Sequence, residues 1–254
     1  MIATDNKIAA PAEGRVALEA RDLVKHYGAR AVVNGVSLQA ACGEIVGLLG
    51  PNGAGKTTTF YMIVGLVRPN SGQVLLGGKN LTRLPVFRRA RLGLGYLAQE
   101  ASVFRKLSVE DNLLAILESL KMTRQARRER LEELLNALNL TKVAKQPAYT
   151  LSGGERRKLE IARALVRRPS ILMLDEPFSG VDPLAIHDIQ QIIRGLRDQG
   201  LGIIVTDHNV RETLSVVDRA YLVCDGRVLR EGTSEFLIND ETARELYLGR
   251  GFKM

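Results

Sequence analysis

Eight residues from Gly50 to Thr57, GPNGAGKT, set three glycines around a lysine–threonine pair. The spacing is G-x-x-x-x-G-K-[ST] in full. Gly50, Gly53 and Gly55 permit a tight loop through Pro51, Asn52 and Ala54 whose backbone N–H groups converge on phosphate oxygens. Lys56 is a cation for β- and γ-phosphates, the Thr57 hydroxyl is a ligand for Mg²⁺, and Thr58 completes the set expected to contact the nucleotide. An apolar run, EIVGLLG, precedes the loop and a helix-like run, TTTFYMIVGLV, follows it. That context argues against a chance glycine turn. Further on, ILMLDEP ends in two adjacent carboxylates, Asp175 and Glu176. A strand can end in acids simply to meet water. Beside a phosphate loop the pair reads as a phosphoryl-transfer site, with Asp175 holding Mg²⁺ and Glu176 polarising an attacking water.

A second glycine turn, Gly153-Gly154 in TLSGGERRKLEIARALVRR, also opens a helix-like run. Backbone N–H groups at a helix N-terminus favour anions. Such a turn could fold over the first loop, act on a nucleotide held by a second copy of the chain, or be purely structural. The residues alone leave all three open.

The elements around these motifs read as an α/β chain. Short strand-like runs, VALEARDLV and VVNGVSLQA, come first, and EIVGLLG reads as a buried parallel strand entering the loop. The stretch from about 107 to 168 changes to a helical texture. Leu131, Leu134, Leu135 and Leu138 share one face, and the charges between Arg124 and Glu133 read as a solvated face. Strands return in SILMLDE, LGIIVTD and AYLVCDGRVLREG, the last with Asp225-Gly226 as a hairpin turn. Asp182 reads as an N-cap with Pro183 in the first turn of a helix whose apolar stripe is Ile189, Ile192, Ile193 and Leu196.

Bulk composition narrows the classes. The chain has 254 residues, 45% of them hydrophobic, with 36 basic and 28 acidic residues giving a net charge of +8. That suits one substantial core and an anionic partner, either nucleic acid or a membrane surface. No apolar run approaches the ~18 residues a spanning helix needs. No secretory signal is visible in residues 1–15, which read as a mobile leader. Cys42 and Cys224 lack metal-ligand spacing and read as two reduced thiols.

Together the motifs resemble the ATPases of the ATP-binding-cassette (ABC) family, in that family's order. Gly50–Thr57 matches Walker A, Gln99 the Q-loop, and LSGGE, with Ser152, Gly153, Gly154 and Glu155, the signature. Asp175–Glu176 matches Walker B, Ser179, Gly180 and Asp182 in SGVD the D-loop, and His208 the switch histidine. The match runs from about Val16 to the C-terminus. The resemblance implies a P-loop NTPase (RecA-like) core with an antiparallel β subdomain and an inserted α-helical subdomain. It divides 16–254, a single ABC ATPase domain, into a nucleotide-binding core of 16–98 and 169–254 and a Q-loop and helical signature subdomain of about 99–168. It also implies a head-to-tail homodimer in which the signature grips the partner's ATP. Tyr27 then stacks on adenine, Gln99 reaches Mg²⁺ or the attacking water, and His208 contacts the γ-phosphate.

Longer stretches, among them YLAQEASVFRKLSVEDNLLA and the ending YLGRGFKM, are similar to the lipopolysaccharide-export branch of the family. This implies a protein of Gram-negative bacteria on the cytoplasmic face of the inner membrane, working with two membrane subunits resembling LptF and LptG, and with LptC in the complex. Phe104 and Arg105 then face the membrane subunits. Ala98 departs from the family's usual proline before the Q-loop glutamine. Competing readings are a branched-chain amino-acid importer ATPase and an ABC protein acting on DNA or the ribosome. The +8 charge and the cluster Arg88, Arg89 and Arg91 speak for the latter. The lack of long insertions or a second cassette speaks against it, and nucleic acid is not an expected partner.

Overall fold

A computed structural model describes residues 16–100, 102–249 and 251–252. The leader expected over residues 1–15 lies outside them. Two sheets form the frame. The first has the order β2-β1-β4-β5, from Val16–Tyr27 (β1), Arg30–Ala41 (β2), Ser71–Leu76 (β4) and Lys79–Asn80 (β5), all antiparallel. The second has the order β10-β9-β3-β8-β7-β6. Its strands are Ile45–Leu49 (β3), Leu94–Leu97 (β6), Ile171–Asp175 (β7), Gly202–Thr206 (β8), Arg219–Cys224 (β9) and Arg227–Thr233 (β10). Neighbours in it run parallel except β9 and β10, which form the hairpin expected at Asp225-Gly226.

Every residue of β3, β7 and β8 is buried, as a parallel strand covered on both faces requires. Their side chains alternate between two cores. Val46, Leu48, Ile171, Met173 and Ile204 face the core shared with the first sheet and the helix Lys56–Val64 (α1). Ile45, Leu49, Leu172, Leu174, Ile203 and Val205 face the core built by the helices on the other side. The period of two in the strands thus decides which layer each residue holds.

The helices of that second layer are Val109–Leu117 (α3), Arg124–Ala137 (α4), Gly153–Leu165 (α5) and Pro183–Asp198 (α6). Leu131, Leu134, Leu135 and Leu138 are all buried, as their spacing predicts. Asp182 caps α6, its Oδ1 accepting from Ala185 N at 3.0 Å, with Pro183 in the first turn. Smaller helices are Val86–Arg91 (α2), Val210–Leu214 (α7), Ser234–Asn239 (α8) and Glu241–Ala243 (α9), before a π-helical turn at Arg244–Leu248.

Two expectations about charge need correction. Arg130, expected on a solvated face, is 7% exposed, donates to Leu165 O and pairs with Glu133. Arg89, grouped with Arg88 and Arg91 as a basic surface cluster, is 2% exposed. Its guanidinium donates to the carbonyls of Leu84, Met62, Ile63 and Thr82, two of them at the C-terminal end of α1. Helix carbonyls at that end lack intrahelical donors, so a buried cation is satisfied there without a carboxylate. Burial pushes its pKa down to about 10. Gly65 makes the room, since a Cβ there would lie 2.6 Å from Arg89 Nε. Cys42 and Cys224 are free thiols. No helix among the described residues is long and apolar enough to cross a membrane.

Candidate active site

The central strand β3 runs into the loop Gly50–Gly55, and α1 begins at Lys56. The loop is pressed between neighbours that exclude side chains. A Cβ on Gly50, at φ +147°, would collide with the Val223 carbonyl of β9, and one on Gly55, at φ +99°, would lie 2.6 Å from the Val32 carbonyl of β2. Gly226 N–H donates to Ala54 O at 3.0 Å, so the β9–β10 turn seats the loop from below. Lys56, 7% exposed, donates from Nζ to Gly50 O at 2.6 Å and Pro51 O at 2.9 Å. Burial lowers its pKa, and the Glu176 carboxylate opposes that shift. Thr57 is exposed at the first turn of α1 and Thr58 is half-buried.

Asp175 ends β7 and Glu176 follows it with φ +50°, a left-handed conformation that a non-glycine residue adopts only when its surroundings impose it. Those surroundings are visible: Glu176 N–H donates to Thr206 O at 2.7 Å, and Asp207 Oδ2 accepts from Phe178 N at 2.9 Å. The turn aims the two carboxylates differently. Asp175 is 2% exposed, with Tyr96 Oη at 3.5 Å from its Oδ2. Burial first, and then the charge of Glu176, raise its pKa to about 6. Glu176 is held at both oxygens, by Gln99 Nε2 on Oε2 at 2.9 Å and by His208 Nε2 on Oε1 at 2.7 Å. Three residues singled out in separate stretches of sequence therefore meet on one carboxylate.

Other expected positions sit as follows. Tyr27 is 52% exposed at the end of β1, with Lys25 Nζ 5.3 Å from its ring centre. Ser152 caps α5 and forms a reciprocal box with Glu155: each side chain accepts from the other's backbone N–H. Gly154 packs α5 on α6, where a Cβ would lie 2.5 Å from Ala185 Cβ, and a Cβ on Gly153 would meet Gly180 O at 3.2 Å. Ser179 N–H donates to Glu176 O at 3.2 Å, and Gly180 turns at φ +68°. Among the described residues no hydrogen bond joins Ser152–Glu155 to the Gly50–Thr57 loop.

Phe104 is 49% exposed, with Arg163 4.5 Å from its ring centre. Buried Asn112 holds the Phe104 backbone at both N and O. Arg105 is exposed, its carbonyl accepting from Tyr149 N at 3.0 Å. Arg163 also borders a cleft with Tyr96, Ile116, Ala164 and Arg167.

Two residues escaped the sequence reading, though both lie in stretches it quoted. Asp207 stands beside His208 and holds the backbone after Glu176. Arg157, in the signature helix, is 6% exposed and bonded to the Walker B backbone. Apart from Glu160 on Arg157, their partners are backbone groups, which carry no residue-type signal.

Among the described residues, no group of three or more His, Cys, Asp or Glu side chains is placed to hold a metal alone. The oxygen donors at Thr57 and Asp175 suit a hard cation that takes its remaining ligands from phosphates and water.

Comparison with known proteins agrees with this geometry. The family model described as ABC transporter matches residues 33–179. A probable ABC transporter ATP-binding protein of Azorhizobium caulinodans is 54% identical, over 96% of this chain and 87% of its own. The lipopolysaccharide export system ATP-binding protein LptB of Acidithiobacillus ferridurans is 53% identical, over 93% and 98%. Among solved structures, an ATP-binding cassette of an ABC transporter in its ADP conformation superimposes with TM-score 0.83 at 26% identity, covering 93% of this chain and all of that one. A dimeric cassette in a post-hydrolysis state, bound to ADP and Pi, does so with TM-score 0.74 at 25% identity, over 85% and 98%. With a family match over more than half its length and full-length relatives above half identity, the chain belongs to the ABC transporter family, as one of its ATPase subunits.

Proposed function

We propose that the chain is the ATPase of a lipopolysaccharide exporter, acting as a homodimer on the cytoplasmic face of the inner membrane. The observation that carries the enzymatic part is the Glu176 carboxylate held between Gln99 and His208 beside buried Asp175. Walker A, Gly50–Thr57, and the adjoining Thr58 bind the phosphates, and Tyr27 takes the adenine face. Glu176 receives a proton from the water that attacks the γ-phosphorus, as the bond to the β–γ bridging oxygen breaks and ADP leaves. Its geometry is fixed beforehand, so little reorganisation accompanies the reaction. Thr57 and Asp175, with Gln99, would hold Mg²⁺, which would supply charge neutralisation at the β- and γ-phosphates. His208, 59% exposed and bonded to Glu176, contacts the γ-phosphate in this reading.

The signature residues Ser152–Glu155 act on the ATP of a second copy, with Ser179, Gly180 and Asp182 at the dimer interface. The dimeric relative with ADP and Pi supports this, as does the lack of any hydrogen bond between these residues and the Gly50–Thr57 loop among the described residues. In this reading, 16–98 and 169–254 form the nucleotide-binding core, and about 99–168 moves with the membrane subunits. Phe104 and Arg105, beside the cleft at Arg163, take the cytoplasmic segments of subunits resembling LptF and LptG, with LptC in the assembly. Relatives named for lipopolysaccharide export at about half identity favour this cargo over an amino-acid importer.

Glu176→Gln tests the enzymatic reading. It keeps ATP affinity, lowers turnover by about a hundredfold or more, and leaves an ATP-bound dimer on size exclusion. Near-native turnover, or a monomer with ATP–Mg²⁺, refutes it. Mixing Ser152→Ala with Lys56→Ala chains tests the shared site, because a mixed dimer contains one intact composite site. ATP binding absent from that dimer refutes the arrangement. Copurification with membrane subunits identifies the transport system.

A further inference from the structure

Arg157 lies on α5, five residues after Ser152, and is 6% exposed. Its guanidinium makes five hydrogen bonds. Nε donates to Pro177 O at 3.2 Å. Nη1 donates to Ala98 O at 3.2 Å and Glu160 Oε2 at 2.7 Å. Nη2 donates to Asp175 O at 2.8 Å and Glu176 O at 2.7 Å. The planar fork has five N–H donors, so its capacity is filled. Buried Glu160 neutralises the charge, and the remaining bonds go to backbone carbonyls on two separate segments.

Those segments are the ones that place the hydrolytic side chains. Ala98 immediately precedes Gln99, whose amide is on Glu176 Oε2. Asp175, Glu176 and Pro177 form the left-handed turn that aims the Glu176 carboxylate. A single guanidinium thus fixes the backbone under both the carboxylate and its amide partner. It is carried by the helix whose first turn is the signature. Ser152 and Arg157 are ~7.5 Å apart along a rigid helix, so a shift of the first turn is passed directly to the Walker B backbone.

We infer that Arg157 is a positioning residue that couples the two nucleotide sites of the dimer: it ties the helix gripping one ATP to the backbone carrying the carboxylate that hydrolyses the other. This rests on the reading that the signature acts across the dimer. The coupling is physical rather than correlative, because one element touches both sites and moves as a unit. Arginine is required because lysine has a single nitrogen, which cannot span Ala98, Pro177 and the Asp175–Glu176 carbonyls together.

The test uses the full chain with Arg157→Lys and Arg157→Gln, following ATP hydrolysis against ATP concentration, binding of a fluorescent ATP analogue, and thermal melting. In Arg157→Lys, affinity for the analogue stays within about twofold while kcat falls about tenfold or more. Its Hill coefficient falls from the wild-type value toward 1. Arg157→Gln melts lower and shows the same loss of cooperativity in its folded fraction. If Arg157→Lys keeps wild-type kcat and cooperativity, the bonding pattern positions nothing and the proposal is overturned. A parallel loss of affinity, kcat and melting temperature in both variants also overturns it, leaving Arg157 a brace. A wild-type Hill coefficient of 1 does the same. The dimer is checked separately with Glu176→Gln: if that variant stays monomeric with ATP, the shared site fails and this coupling with it. A normal ATP-bound dimer with unchanged cooperativity in Arg157→Lys refutes the coupling alone.

Discussion

Replacing Asp175 with asparagine removes a charge that the fold holds at a cost. The side chain is 2% exposed, and burial together with the Glu176 charge raises its pKa to about 6 from the usual 3.8. A raised carboxylate pKa means that the folded state disfavours the ionised form. At pH 8, where both folded and unfolded chains carry ionised Asp175, the penalty is fully present. As pH falls through about 6 the folded state takes up a proton before the unfolded state does, and the penalty shrinks. Below the usual carboxylate range it is gone. A shift of about two pKa units corresponds to roughly 3 kcal/mol. The amide keeps the shape and an acceptor for Tyr96, whose 3.5 Å contact is weak, so about 2 kcal/mol or more of the difference survives the substitution. The assay is urea unfolding with EDTA and no nucleotide, at pH 8 and at pH 4. Asp175→Asn is the more stable protein at pH 8, the two converge at pH 4, and the variant no longer hydrolyses ATP. Equal stability at pH 8, or a gap that widens on acidification, refutes the assignment of a destabilising buried carboxylate. The site then carries no stored cost that a cation relieves.

Three further outcomes follow from other contacts. Arg89→Met leaves the carbonyls of Leu84, Met62, Ile63 and Thr82 without their donor and costs about 2–4 kcal/mol in urea unfolding; a change within experimental error would show that water replaces the guanidinium. Gly154→Ala drives a Cβ toward Ala185 and costs about 1–3 kcal/mol by melting, with ATP-induced dimerisation falling as α5 shifts. Phe104→Ala loses one exposed contact with Arg163 and about 1 kcal/mol or less of stability, keeping soluble ATPase activity. Copurification with membrane subunits drops by the equivalent of about 2 kcal/mol or more. Collapse of the fold with normal assembly would make Phe104 a core residue instead.

Glycine and carboxylate positions were legible in the sequence because their chemistry is local. The loop Gly50–Thr57 and the pair Asp175–Glu176 are contiguous, and their strands and helices announce themselves by period. The alternation of β3 between two cores and the apolar stripe of α6 follow from the same arithmetic. Arginines were not legible in this way. Arg89 and Arg130 read as solvent-facing charge and Arg157 drew no reading, yet all are buried. Arg89 and Arg157 are satisfied mainly by backbone carbonyls, which every residue has, brought near by tertiary packing. Arg157 reaches Ala98, 59 positions away. No spacing rule encodes such a partner. The left-handed turn at Glu176 was hidden for a similar reason, since the bonds that impose it come from Thr206, at the end of another strand, and from Asp207 just after it. Gly154 was read as an anion grip; the space beside Ala185 shows that it also serves as a packing glycine.

The sheet order has a consequence for how the chain is made. β3 is among the first strands to be synthesised, yet its two neighbours are β8 and β9. Between Leu49 and Gly202, where the first of these partners begins, lie 152 positions. At ~5–20 residues per second a ribosome takes roughly 8–30 s to cover them. Throughout that interval the apolar segment IVGLL has neither strand partner, and the loop after it lacks the Val223 carbonyl and the Gly226 N–H that seat it. Nascent chains therefore gain ATP affinity only after β9 and its turn have left the exit tunnel. An unpaired, wholly apolar strand must until then be shielded by early packing or by a chaperone, which makes translation speed through the second half a determinant of yield.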